Sequence, residues 1–163
     1  VEEMNETIIK RHNERVTNDD WVFFLGDFCF KNTLNGKKGE GLPVKAIDLR
    51  KRLNGNFIFI GGNHDRNNSL KTIIQRLVIS YGNHRINLVH KPDFVDFNYK
   101  INLVGHVHDR WKIKRIEKNG QVTDAINMSC EVWDYYPRTF EEIYSRYKKW
   151  LKIVNTGSLN SNK

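Results

Sequence analysis

Three short apolar runs in this chain stop in the same way. Trp21-Val22-Phe23-Phe24-Leu25 runs into Gly26-Asp27, Asn56-Phe57-Ile58-Phe59-Ile60 into Gly61-Gly62-Asn63-His64-Asp65, and the run ending at Val104 into Gly105-His106-Val107-His108. A fourth, Asn87-Leu88-Val89, ends at His90. Continuous apolar runs of this length, bounded by turn residues, read as strands buried on both faces. Glycine lets the chain reverse sharply and bring the next side chain back over the sheet. In an open α/β sheet the carboxyl ends of neighbouring strands meet at one crevice, where ligands bind. If these strands are neighbours, Asp27, Asn63, His90, His106 and His108 converge. One carboxylate, one amide and three imidazoles, with no thiolate, suit Mn, Fe, Zn, Mg or Co and argue against a closed structural zinc site. Singly, each piece has a bland reading: Gly-Asp is a common turn, and His106 and His108 alternate as on any strand. Together, in order, they are hard to assign to chance.

The rest of the chain surrounds those strands with helices and hairpins. Residues 1–16 place Val1, Met4, Ile8 and Val16 at helical spacing, with acidic residues first and basic residues last, as the helix dipole favours. A Gly-rich loop is expected over 35–43, and helices over 44–53 and 68–76. Gly82-Asn83 and Asn119-Gly120 each separate two strand-like segments and predict hairpins. Thr139 with Glu142 forms a capping-box pattern that opens a helix over 139–151. The tail 155–163 is polar. The class read from this order is α/β with mixed sheets.

The chain has 163 residues, 39% hydrophobic content and a formal net charge of +8. That length suffices for one domain with a core. No apolar stretch approaches the roughly 20 residues of a membrane span, and no secretory signal is visible, so a cytoplasmic protein is expected. Cys29 and Cys130 show no metal or redox spacing and read as reduced thiols. The basic balance favours an anionic partner. Lys and Arg are spread along the chain rather than gathered in a stripe, so nucleic acid is the less favoured partner.

The ordered set Gly26-Asp27, Gly62-Asn63-His64-Asp65, His90 and Gly105-His106-Val107-His108 resembles the calcineurin-like metallophosphoesterases. The stretch 127–137 and the helix after it resemble small bacterial and phage members, so the resemblance spans essentially the whole chain. It implies a four-layer αββα sandwich with two mixed sheets, formed by one domain over 1–154 followed by the tail. It also implies two divalent ions: Mn is expected first, with Fe, Zn, Co, Ni or Mg as alternatives. Asp27 would bridge them, Asn63, His90 and His106 would serve one ion, and His108 the other. The family's Asp-x-His motif on a first strand has no counterpart here, and the expectation is that the natural protein begins earlier. His12, the nearest histidine, reads as a residue on a solvated helix face.

The implied reaction is hydrolysis of a phosphate ester by hydroxide, with a diester slightly preferred over a monoester because of the basic charge. His64 would be the general acid, and Asp65 would orient its imidazole. Arg66 would contact the substrate phosphate. The expected substrate is a phosphorylated small molecule or nucleotide. The alternative is a catalytically silent protein of the same fold acting as a protein-binding scaffold; the presence of His64 favours the enzyme.

Overall fold

In the computed structural model, residues 2–29, 45–65, 70 and 72–157 are described. The Gly-rich loop at 35–43 and Arg66 lie outside the described residues. Helix α1 (Glu2–Asn13) leads into strand β1 (Trp21–Phe24), which pairs in parallel with β2 (Asn56–Phe59) after the short helix α2 (Ala46–Arg50). The remaining strands are β3 (Arg76–Tyr81), β4 (His84–Val89), β5 (Ile101–Val104), β6 (Ile113–Lys118) and β7 (Gln121–Asn127), and helix α3 (Phe140–Asn155) follows. They form a five-stranded sheet in the order β3-β4-β5-β7-β6. Its inner pairs β4–β5 and β5–β7 are parallel, and hairpins close both edges. The α/β class with two sheets is therefore as expected: the larger sheet is mixed, and the smaller is wholly parallel.

Side chains alternate across the large sheet, so each strand serves two packing layers. Ile86, Leu88, Ile101, Leu103 and Ile126 face one way and join Ile60, Ile143 and Tyr147 in the main core, with Phe23 and Leu25 packed against it. Val89, Val104 and Ala125 face the other way under Val95, Trp111 and Ile116. Polar side chains also lie on that second layer. Asn87 donates to Asn102 at 2.7 Å, and Asn102 donates to the Thr123 hydroxyl at 2.8 Å, which links the three central strands through buried groups.

Both hairpins form as the turn residues predict. Asn119 and Gly120 take φ of +52° and +74°, the two left-handed positions of a tight turn whose twist matches the strands. The capping box is also present: the Glu142 backbone N–H donates to Thr139 Oγ1, and the Thr139 N–H donates to the Glu142 carboxylate.

Three expectations need correction. The described part of 68–76 is not helical: Ile74 forms a parallel bridge with Ile60, and Arg76 opens β3. Strands β1 and β2 are half-buried rather than buried on both faces, with Trp21 66% exposed and Asn56 also exposed, because among the described residues their sheet has two strands and leaves that end open. His12 is buried, not solvated: its Nε2–H donates to the Asn54 carbonyl at 2.8 Å, and its ring lies against Phe57. Burial holds its pKa below the ordinary value, and it has no part in the cluster described next.

Candidate metal centre

The ends of β1, β2, β4 and β5 meet, and the side chains that follow them meet as well. One ligand atom each from Asp27, His90 and His106 lies within 4.8 Å of the others. Asn63 joins them, its Oδ1 3.0 Å from His90 Nε2, while Asp27 Oδ2 is 3.1 Å from the same nitrogen. The rings of His90 and His106 stand edge to face with centroids 5.0 Å apart.

The hydrogen bonds around His90 show what this cluster is built to hold. Its Nδ1–H donates to the Leu25 carbonyl at 2.7 Å, so in the neutral ring Nε2 carries a lone pair. That lone pair then faces two oxygens, those of Asn63 and Asp27, and no donor separates them. Acceptors aimed at one point are satisfied by a cation or by a proton on Nε2. The backbone carbonyl on the far nitrogen is the arrangement that fixes a ligating histidine's tautomer. The donor set therefore fits a divalent ion.

Ionisation follows the same contacts. Burial pushes the Asp27 carboxyl up, but bonding from His90 and from the His64 backbone N–H outweighs it and holds the pKa below the ordinary value. Burial pushes His90 down, and its bonds to Asp27 and the Leu25 carbonyl reverse this and hold it above the ordinary value. His106 is held below the ordinary value by desolvation and by the neighbouring His90 and Lys91.

The backbone is bent to make this convergence. Asp27, His106 and His108 adopt φ of +55°, +69° and +50°, in the left-handed region that residues with a Cβ rarely enter. Such conformations cost roughly 1–3 kcal/mol each and collect at functional sites. Close approach does the rest. A Cβ on Gly26, itself at φ +91°, would lie 2.4 Å from His90 Nδ1, and one on Gly62 would lie 2.2 Å from Asp27 Oδ1. Larger residues at either position would push the ligands apart.

The structure places the remaining sequence-predicted residues as follows. His108 stands outside the three-residue cluster: its side chain is 74% exposed, and Nδ1 is 2.8 Å from Glu131 Oε1. His64 is exposed beside Asn63, with its backbone N–H on Asp27 Oδ1. Asp65 is buried, and its carboxylate accepts from the backbone N–H groups of Asp27, Phe28 and Gly62 at 2.8, 2.9 and 2.8 Å. It thereby clamps the loop after β1 to the loop after β2. Sequence reasoning missed this clamp, and also missed Glu131 as the partner of His108; neither leaves a spacing signal.

No family profile matches the sequence. The uncharacterized protein MJ1445 of Methanocaldococcus jannaschii is 33% identical over 160 residues, covering 96% of this chain and 81% of that protein. Among solved structures, the protein of unknown function AQ665 from Aquifex aeolicus overlays with a TM-score of 0.62 at 22% identity, over 89% of this chain and 86% of that one. It shares the fold. Less extensive overlays include wild-type Vps29 complexed with zinc from Entamoeba histolytica, with a TM-score of 0.44, 17% identity and coverage of 76% and 63%. A predicted phosphoesterase from Streptococcus pneumoniae overlays with a TM-score of 0.40, 17% identity and coverage of 77% and 65%. By identity and coverage together, the chain belongs to the same protein family as MJ1445.

Proposed function

We propose that this protein is a metal-dependent phosphoesterase acting at the Asp27, Asn63, His90 and His106 cluster. The observation that carries the reading is that one carboxylate, one amide oxygen and two imidazoles converge at the carboxyl ends of four strands. A divalent ion held there supplies Lewis acidity, which acidifies water and polarises phosphate oxygens.

The chain's own residues perform the other tasks. Leu25 fixes the tautomer of His90 through its carbonyl, and Asp65 holds the two ligand-bearing loops at one spacing. His64, exposed next to Asn63, delivers a proton to the departing ester oxygen. Asp65 comes directly after it in the chain. Arg66 follows as a phosphate contact. Asp27 and His108 would hold a second ion, with His108 released from Glu131. Manganese is the first metal to try. A diester of a phosphorylated small molecule or nucleotide is the favoured substrate, in a single domain spanning 1–154.

A binding role without turnover is the second reading. It is favoured by the position of His108, which among the described residues leaves ligands for one ion gathered rather than two. Metal content after Mn loading and desalting, together with turnover of aryl and alkyl phosphodiesters, separates the two. The enzyme reading expects retained metal and hydrolysis of both esters. His64→Ala should keep the metal and lose the alkyl ester by roughly 100-fold or more, because a poor leaving group needs the proton. Retained metal with neither ester hydrolysed would leave the binding reading.

A further inference from the structure

A cavity of about 540 Å³ opens between the start of β6, the 3-10 turn at Cys130–Trp133 and the first turns of α3. Four cationic side chains, Lys112, Arg138, Arg146 and Lys149, line it around the ring of Trp133. Lys112 Nζ lies 4.4 Å from the ring centroid, and the Arg138 guanidinium lies 5.7 Å from it. Trp133 is itself 6% exposed, and its indole N–H donates to the Asn127 carbonyl. The indole is thus packed under cations and is poorly placed to stack a base.

Three acids also line the cavity, and two of them, Glu142 and Asp134, reach only Arg138 among its four cations. Glu142 pairs with Arg15, closes the capping box and also lies 3.6 Å from Arg138, and Glu141 accepts the Tyr81 hydroxyl. Asp134 is 3.7 Å from Arg138, with its own side chain 80% exposed. Arg146 and Lys149 have no acidic partner among the described residues. Arg138 Nε is buried without a hydrogen-bond acceptor among them. Lys112 is held below the ordinary lysine value by desolvation and by the nearby Arg146 charge. Cations brought together at this cost, beside an unused buried donor, are complementary to a multiply charged oxyanion.

We propose that this cavity binds adjacent phosphate groups, as in a di- or polyphosphate or the backbone of a single nucleic-acid strand. It is distinct from the metal cluster but joined to its rim by one turn. Glu131, next to Val132 and Trp133, holds His108, and Asn127 donates to the His108 carbonyl. The proposal does not rest on the hydrolytic reading.

Calorimetric titration of the full chain at low salt, with chelator present, tests it. The probes are inorganic pyrophosphate and a short oligothymidylate. Because divalent ions are absent, failure here leaves the phosphoesterase reading untouched, and failure of that reading leaves this one untouched. The expected result is saturable binding of at least one probe, weakened roughly tenfold or more in the Arg146→Ser/Lys149→Ser double variant. Both positions are exposed on α3, so the variant should keep the wild-type melting curve. Lys112→Met, which keeps the aliphatic stem on Trp133, should also weaken binding. Preference for pyrophosphate assigns the ligand to small polyphosphates. Binding of oligothymidylate alone, with a steep salt dependence, assigns it to a nucleic-acid strand. Failure of both probes to bind, or equal binding by wild type and the double variant, overturns the proposal.

Discussion

Asp65 shows how much a single carboxylate can organise. Its two oxygens accept three backbone N–H groups from the ends of two different strands, in a position that is 2% exposed. Removing it would strand buried donors, each costing about 1–3 kcal/mol. Asp65→Ala is therefore expected to lower unfolding free energy by roughly 3 kcal/mol or more and to weaken metal retention at the same time. Urea denaturation and metal analysis of the same sample check both, and a loss of turnover with neither affected would return Asp65 to the role of orienting His64. The sequence suggested that second role, or a cap on the helix expected after it, and not the clamp. Position 65 follows a histidine and so looked like its partner, whereas the clamp depends on two loops 38 residues apart meeting in space.

At the scale of elements, what was legible was whatever is encoded locally. Asn119-Gly120 specifies its own turn, and Thr139 with Glu142 specifies its own helix start. Thr139→Ala should cost about 1 kcal/mol, read as a lowered urea midpoint with unchanged slope, because it removes an N-cap acceptor. The same logic made the strand ends readable, since each apolar run announces its own terminus. The helix expected over 68–76 failed for a non-local reason. Leu70, Ile73 and Ile74 have helical spacing, yet Ile74 is drawn into a bridge with Ile60, while Ile73 is left 85% exposed. Likewise, His12 looked solvated among charged neighbours, and only the packing of α1 on β2 buries it. Among the described residues, no helix is long and apolar enough to cross a membrane.

At the scale of the whole molecule, Glu142 ties the two ends of the chain together. It caps α3 and accepts from Arg15, just beyond α1, at 2.7 Å. Burial pushes its carboxyl up, but bonds from Arg15 and the Thr139 N–H outweigh this and hold the pKa below the ordinary 4.5. A depressed native value stabilises the fold above the unfolded pKa, and that contribution fades as pH falls below 4.5 through the native value. Glu142→Gln should thus be less stable than wild type at neutral pH, with the gap narrowing in acid; denaturation midpoints across that range read the trend. The buried amides of the large sheet act on a different problem, the choice among near-equivalent pairings. Strands β4, β5 and β7 carry interchangeable Ile, Leu and Val over ladders only four residues long. Slipping β5 by one residue would turn Asn102 into the apolar core, and slipping it by two would part it from Asn87. The Asn87–Asn102–Thr123 ladder therefore works as a key cut for a single alignment, and its value lies in the wrong sheets it forbids.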